Sequence, residues 1–286
     1  MSLQVWVDGK LVDKERATVS VYDHGLLYGD GVFEGIRLYA GKIFRAEEHM
    51  RRLYDSAKAI RLVIPYTAEQ LTAAIYETAN VNKLSDCYVR LVVTRGVGAL
   101  GIDPAKCKAP AVFIITDLIS IYPKEQYEQG VPVIVSSIVR NHPNALSPRI
   151  KSLNYLNNVL ARMEATDAGV AEAIMLNHLG NVSEGTVANI FLARDGAVFT
   201  PLLCDGILEG VTRNVIIELC QQMDIPIRER VVERHDLYIS DECFLTGSGA
   251  EVMPVTKIDG RPVGNGKVGP ITKKLMDAFH KHVRGA

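Results

Sequence analysis

Val32-Phe-Glu-Gly-Ile-Arg-Leu-Tyr39 is followed closely by Ala46-Glu-Glu-His-Met-Arg-Arg-Leu-Tyr-Asp-Ser-Ala-Lys-Ala-Ile60, and the apolar period changes between them. Over 32–39 successive side chains alternate. Phe33, Gly35, Arg37 and Tyr39 share one face, and Val32, Ile36 and Leu38 share the other. From about 46 to 62, Met50, Leu53, Ala57 and Ile60 recur at helical spacing and form one apolar stripe. Thr67-x-x-Gln70 has the form of a capping box and predicts a second helix to about Asn80. Strand patterns follow at 87–94 and 111–116. Further on, a β-run at 131–139, a helix at 153–168, strands at 173–177 and 187–193, a helix at 210–223 and a terminal helix from about Pro270 are expected. Asp8-Gly9, Asp195-Gly196 and Asp259-Gly260 each read as hairpin turns between short β-runs. Helices and strands are mixed without regular βαβ alternation, so the fold class is α+β.

The chain has 286 residues, which at roughly 150 per domain suggests two domains or one large one. The segment 118–130 carries Pro123 and mixed charge and reads as an inter-domain loop. It separates a small N-terminal domain, 1–117, from a larger C-terminal domain, 131–286. Apolar residues at 48% and charged residues at 23% exclude a disordered or fibrous chain. With 32 Lys+Arg against 33 Asp+Glu the net charge is −1, so neither nucleic acid nor an anionic membrane has a basic surface to hold. The five cysteines, Cys87, Cys107, Cys204, Cys220 and Cys243, are scattered without any Cys-x-x-Cys and read as reduced thiols. The first residues lack the basic and apolar regions of a signal peptide. The longest apolar runs, such as Val131-Pro-Val-Ile-Val135, fall far short of the roughly 20 residues that cross a bilayer. A cytoplasmic location is therefore expected, and the Asn181-Val-Ser183 sequon reads as coincidence.

No metal site is expected, because the seven histidines show no ligand spacing; His280-x-His282 on a helix points its rings apart. A Gly-x-Ser-x-Gly elbow, a Walker A sequence and a dinucleotide fingerprint are all absent. Leu208-Glu-Gly-Val-Thr212 opens a helix, where free N–H groups and the dipole suit an anion. Thr246-Gly-Ser-Gly-Ala250 could fold into a nest of N–H groups. A helix cap and a tight turn would read the same way. Tyr88 and Arg90 leave one face of their strand while Val89, Leu91 and Val93 leave the other. An arginine beside aromatics suits a carboxylate in an apolar pocket, and a solvated sheet face fits the pattern equally.

Six motifs occur in order along the chain: Val32-Phe-Glu-Gly-Ile-Arg37, Phe44-Arg-x-x-Glu-His-Met50, Ile150-Lys-Ser-Leu-Asn-Tyr155, Ser183-Glu-Gly-Thr-x-x-Asn-Ile-Phe191, Leu208-Glu-Gly-Val-Thr212 and Thr246-Gly-Ser-Gly-Ala-Glu251. Over about 5–280 this set resembles the class IV, or fold type IV, pyridoxal-phosphate aminotransferases, and most closely the branched-chain amino acid aminotransferases. The resemblance implies a two-domain fold like that of the D-amino-acid aminotransferases, with pyridoxal 5′-phosphate in the cleft. It also implies a homodimer or larger homo-oligomer in which a neighbouring subunit's loop closes the pocket.

By resemblance, Lys151 is the catalytic lysine that forms the Schiff base, Tyr155 lies beside the cofactor's phenolic oxygen, and Glu184 pairs with its pyridine nitrogen. Arg45, Val211, Thr212 and Ser248 would hold the phosphate, and Leu208 would pack on the ring. The amides of Ser248 and Gly249 would take the substrate α-carboxylate. Tyr28, Phe33, Gly35 and Arg37 would line the side-chain pocket, and Tyr88 and Arg90 would receive the distal carboxylate of glutamate. Tyr122 is an approximate counterpart of a pocket tyrosine in the inter-domain loop. The implied reaction is transamination of leucine, isoleucine or valine with 2-oxoglutarate. The alternatives within the class are a D-amino-acid or (R)-amine transaminase and an aminodeoxychorismate lyase. The loop Thr94-Arg-Gly-Val-Gly-Ala-Leu-Gly-Ile-Asp-Pro104 lacks the Arg-x-His pair of the D-enzymes, although its Arg95-Gly96 start is shared with them.

Overall fold

The three Asp-Gly pairs each close a two-residue hairpin. Asp8 and Gly9 have φ of 46° and 89°, Asp195 and Gly196 have 52° and 79°, and Asp259 and Gly260 have 49° and 77°. Positive φ at both central positions is what a type I′ turn needs to match the twist of its strands. The computed structural model describes residues 2–119 and 123–285, and these divide into two compact units.

Unit 1 comprises residues up to 119 together with Ile150–Asn154. Its elements are β1 (Gln4–Val7), β2 (Lys10–Asp13), α1 (His24–Tyr28), β3 (Gly31–Tyr39), β4 (Lys42–Ile43), α2 (Ala46–Ala59), α3 (Ala68–Val81), β5 (Cys87–Thr94) and β6 (Ala111–Asp117). The strands form one sheet in the order β2-β1-β6-β5-β3-β4. Val89, Leu91 and Val93 of β5 are fully buried against Val32, Ile36, Leu53 and Ile75, as the alternation requires. The Thr67–Gln70 capping box is complete: the Gln70 N–H donates to Thr67 Oγ1 and the Thr67 N–H to Gln70 Oε1. The five-residue α1 has no sequence periodicity to announce it. Only Asp23, which caps it through the Gly25 N–H at 2.7 Å, and the left-handed Gly29 mark its ends.

Unit 2 comprises 123–149 and 155–285 of the described residues. Its elements are α4 (Lys124–Gln129), β7 (Val131–Val135), α5 (Leu156–Asp167), β8 (Glu172–Leu176), β9 (Val182–Gly185), β10 (Asn189–Arg194), β11 (Ala197–Thr200), α6 (Val211–Gln222), β12 (Ile227–Glu229), α7 (Arg234–Ile239), β13 (Glu242–Gly247), β14 (Glu251–Ile258), β15 (Arg261–Pro262) and α8 (Pro270–Arg284). The sheet order is β12-β11-β10-β13-β14-β7-β8-β9, with β15 against β14. Among the described residues no helix is long and apolar enough to cross a membrane.

Three sequence boundaries differ. The expected inter-domain loop contains the short helix α4, whose Tyr127 hydroxyl donates to the Ala250 carbonyl at 3.2 Å. The β-run stops at Val135 instead of 139, because Ser136 and Ser137 turn aside to donate to the Glu164 carboxylate. Ile150–Asn154, placed by sequence in the C-terminal domain, belongs to unit 1. The Phe33 N–H donates to the Lys151 carbonyl at 3.0 Å, the Leu153 N–H to the Gly31 carbonyl at 3.0 Å, and the Lys151 N–H to Ser56 Oγ at 3.1 Å.

Candidate active site

In unit 1 the register of β3 and β5 sets Gly35 opposite Arg90, Arg37 opposite Tyr88 and Phe33 opposite Val92. Directly paired residues share a face, so Phe33, Gly35, Arg37, Tyr88 and Arg90 form one surface, as the alternation predicts. The Phe33 ring holds two cations: Arg90 Cζ lies 4.3 Å and Lys151 Nζ 4.5 Å from its centroid. Such contacts favour cations over an aromatic face, and Phe33 thereby links the candidate catalytic lysine to the candidate carboxylate receptor. Gly35 is bare because Tyr88 lies over it: a Cβ there would meet the phenol oxygen at 2.2 Å. Arg45 precedes α2 in the left-handed region, with φ 50°, and its Nη1 donates to Glu48 at 2.8 Å. Tyr28 is the last residue of α1 and is partly exposed. Tyr122 lies outside the described residues.

The opposite face of β3 carries a charged group that the apolar pattern does not announce. Glu34 is fully buried and accepts from Arg52 Nε at 2.7 Å, Arg52 Nη2 at 2.8 Å and His49 Nδ1 at 2.8 Å. Burial alone would push the Glu34 carboxyl up, but the Arg52 guanidinium and then His49 reverse this and hold it far below the ordinary carboxylate range. Burial pushes His49 below its ordinary 6.5, against the pull of Glu34, so at neutral pH the imidazole is neutral and donates its Nδ1–H. His49, Arg52 and Ser56 lie along the side of α2 that meets β3, and Ser56 holds the Lys151 backbone.

This arrangement sets an acid limit on stability. A histidine whose pKa is lowered by folding takes up its proton in the unfolded chain first, so its contribution is present above about pH 6.5 and is lost as the pH falls below it. Glu34 adds a second loss in much stronger acid. Thermal unfolding is expected to move to lower temperature between about pH 7 and pH 5.5, and His49→Gln should flatten that dependence. An unchanged slope in the variant would remove His49 as its source.

In unit 2, Glu184 lies in the buried strand β9. Its Oε1 accepts from Arg140 Nε at 3.0 Å and is ion-paired with Arg140 Nη2 at 3.0 Å. Its Oε2 accepts from the Leu208 N–H at 2.9 Å and from Asn189 Nδ2 at 3.2 Å. A carboxylate so supplied with donors is fixed in direction. Sequence reasoning gives Arg140 and Asn189 no role: Asn189 stands within the quoted 183–191 motif, five residues from Glu184, but nothing local marks Arg140, which stands 44 residues away. Asn189 also donates to the Leu208 carbonyl at 2.9 Å, and a Cβ on Gly210 would meet Asn189 Oδ1 at 2.0 Å. Gly210 thus leaves the space beside the start of α6 that the Asn189 amide fills. Val211 and Thr212 form the first turn of α6, which has no side-chain cap on its N-terminal N–H groups. Ser248 and Gly249 lie in the three-residue loop between β13 and β14. Tyr155 precedes α5. Among the described residues no group of three or more His, Cys, Asp or Glu is placed to hold a metal ion.

Pyridoxal phosphate needs partners for its pyridine nitrogen, phosphate and carbonyl. Within unit 2 the directed Glu184 carboxylate and the N-terminus of α6, which has no side-chain cap, suit the first two. Within unit 1 the Lys151 amine over the Phe33 ring suits the third. Residues 31–258 match the family model of class IV amino-transferases, and the chain belongs to that family. Among its relatives, a Methanocaldococcus jannaschii protein provisionally named as a branched-chain-amino-acid aminotransferase is 49% identical over 97% of this chain and 95% of its own. The Escherichia coli branched-chain amino acid aminotransferase structure superposes with a TM-score of 0.96 at 37% identity, covering 100% of this chain and 96% of that one. The branched-chain enzyme of Thermobaculum terrenum, solved in its PLP-bound holo form, gives 0.90 at 32% identity, covering 99% and 94%.

Proposed function

We propose that the two groups of residues serve one bound pyridoxal 5′-phosphate, and that the protein is a branched-chain amino acid aminotransferase. It moves the amino group of leucine, isoleucine or valine to 2-oxoglutarate, giving the 2-oxo acid and L-glutamate. When bound, the cofactor supplies an electron sink for the substrate α-carbon. Lys151 Nζ takes the proton from that carbon and later returns one, as base and then acid. Glu184, paired with Arg140, would hold the proton on the pyridine nitrogen. Tyr155 would lie beside the phenolic oxygen and Leu208 against the ring. Arg45, Val211, Thr212 and Ser248 would hold the phosphate. The Ser248 and Gly249 amides take the substrate α-carboxylate.

One observation carries the substrate assignment. The surface of Phe33, Gly35 and Tyr88 is apolar enough for a branched side chain, and Arg90 lies over the Phe33 ring within reach of it. Tyr28 and Arg37 complete the wall. The reading also places the protein in the cytoplasm as a dimer or larger homo-oligomer without nucleic-acid or membrane partners. Support for self-association comes from apolar side chains left exposed in unit 1, among them Val21 at 69%, Leu26 at 63% and Ile102 at 82%.

Arg90→Ala tests the assignment. A lost charge-assisted contact is worth about 1.5–3 kcal/mol, so KM for 2-oxoglutarate and glutamate should rise by about tenfold or more. Leucine should stay within about threefold of the parent. Equal losses on both substrates would make Arg90 a structural residue.

A further inference from the structure

Arg95-Gly96-Val97-Gly98 is a sequence motif that the proposed chemistry does not use. Arg95 Nε and Nη2 donate to Asp30 Oδ2 and Oδ1, both at 2.9 Å. Nη1 donates to the Arg61 carbonyl and Nη2 to the Ile60 carbonyl, both at 2.7 Å, where α2 ends. Four of the five guanidinium N–H groups are thus engaged. The Arg95 backbone N–H also donates to the Asp30 carbonyl at 2.9 Å.

From this clip the loop closes residue by residue onto the segment that carries Tyr28. The His24 N–H donates to the Gly96 carbonyl at 3.0 Å, the Gly98 N–H to the Tyr22 carbonyl at 3.2 Å, and His24 Nε2 to the Ala99 carbonyl at 2.9 Å. The Thr94 hydroxyl donates to Asp23 Oδ2 at 2.8 Å. Finally the Gly101 N–H donates to the Tyr28 phenol oxygen at 2.9 Å, and the Tyr28 ring stands edge-on to His24 with centroids 5.0 Å apart. Asp23 and His24 are buried. The glycines permit this approach: a Cβ on Gly96, at φ 85°, would meet the Ala109 carbonyl at 1.8 Å, and one on Gly98 would meet Cys107 Sγ and His24 Nε2 at 2.7 Å.

We propose that Arg95 is a positioning residue for substrate side-chain selection: by clipping its loop to Asp30 and the end of α2 it fixes the Tyr28 phenol, and it receives no substrate carboxylate. The selection part rests on the reading of Tyr28 as a pocket wall; the clip itself does not. A guanidinium held by a bidentate carboxylate and two carbonyls would have to break partly buried charge-assisted bonds to reach a ligand. Moving the clip instead shifts Gly101 and, with it, the hydrogen bond that orients the Tyr28 hydroxyl.

Holoenzyme of Arg95→Gln, Asp30→Asn, Tyr28→Ala and the parent would be compared in two measurements. The first is amide hydrogen exchange at Gly101, which is expected to quicken at least tenfold in both Arg95→Gln and Asp30→Asn; an unchanged rate overturns the clip whatever the activity. The second is the ratio of kcat/KM for L-leucine over L-valine. Arg95→Gln and Asp30→Asn should both move it at least threefold, in the direction that Tyr28→Ala moves it. Losses equal for all substrates, or losses confined to glutamate and 2-oxoglutarate, overturn the proposal. If Arg95→Gln does not fold, Asp30→Asn gives the same two readings. If Tyr28→Ala leaves the ratio unchanged, the pocket reading of Tyr28 fails, while the exchange rate still decides the clip.

Discussion

Lys151→Ala is expected to lower transamination by about 10⁴-fold, the upper end of what a positioned acid–base group contributes. The side chain is the sole source of the proton-transferring amine in the proposed scheme, whereas the backbone around it is held independently. The Lys151 carbonyl accepts from Phe33 and its N–H donates to Ser56, so truncation beyond Cβ leaves the chain path intact. The thermal midpoint should therefore stay near that of the parent, while the visible band of the purified holoenzyme, and its response to L-leucine, is lost. Turnover within tenfold of the parent would sink the catalytic assignment. A response to D-alanine in place of L-leucine in the parent would instead favour the D-specific alternative.

Glu184→Gln should have the next largest effect, and on two quantities at once. Its carboxylate and the Arg140 guanidinium are both buried, with side-chain exposures of 6% and 7%. Removing one partner of such a pair leaves an uncompensated charge and costs about 3 kcal/mol or more of stability. Activity should fall by about 10²-fold, since an amide does not keep the pyridine nitrogen protonated and each 1.36 kcal/mol of barrier is tenfold. The double variant Glu184→Gln/Arg140→Gln separates the two effects. With no stranded charge it should regain most of the stability and none of the activity. Recovery of both together would mean that Glu184 serves only to neutralise Arg140.

Much of the fold is legible in the sequence because its signals are local. An Asp-Gly pair can adopt two positive φ angles, a Thr-x-x-Gln can satisfy two N–H groups at a helix start, and alternation at Tyr88, Arg90 and their neighbours needs only the pleat of one strand. The face shared by Phe33, Gly35, Arg37, Tyr88 and Arg90 follows from that pleat once β3 and β5 pair. The polar side of α2 is not legible. Its apolar stripe does bury Met50, Leu53 and Ala57, yet His49 and Ser56 are buried beside them because Glu34 and the Lys151 backbone lie opposite.

The sequence by itself determined the hairpins, the capped helix, the alternating strands and the ordered motifs that assign the chain to class IV amino-transferases. Each of these is encoded within a few residues, where dihedral preference and side-chain spacing act directly. The tertiary structure alone decided that Arg140 pairs with Glu184 across 44 residues, that Arg95 closes on Asp30 across 65, and that Lys151 hangs from the edge of β3. Those pairings depend on where the chain returns after long excursions. They are selected by burial, because a charged or hydrogen-bonding group withdrawn from water must find its partner wherever packing brings one.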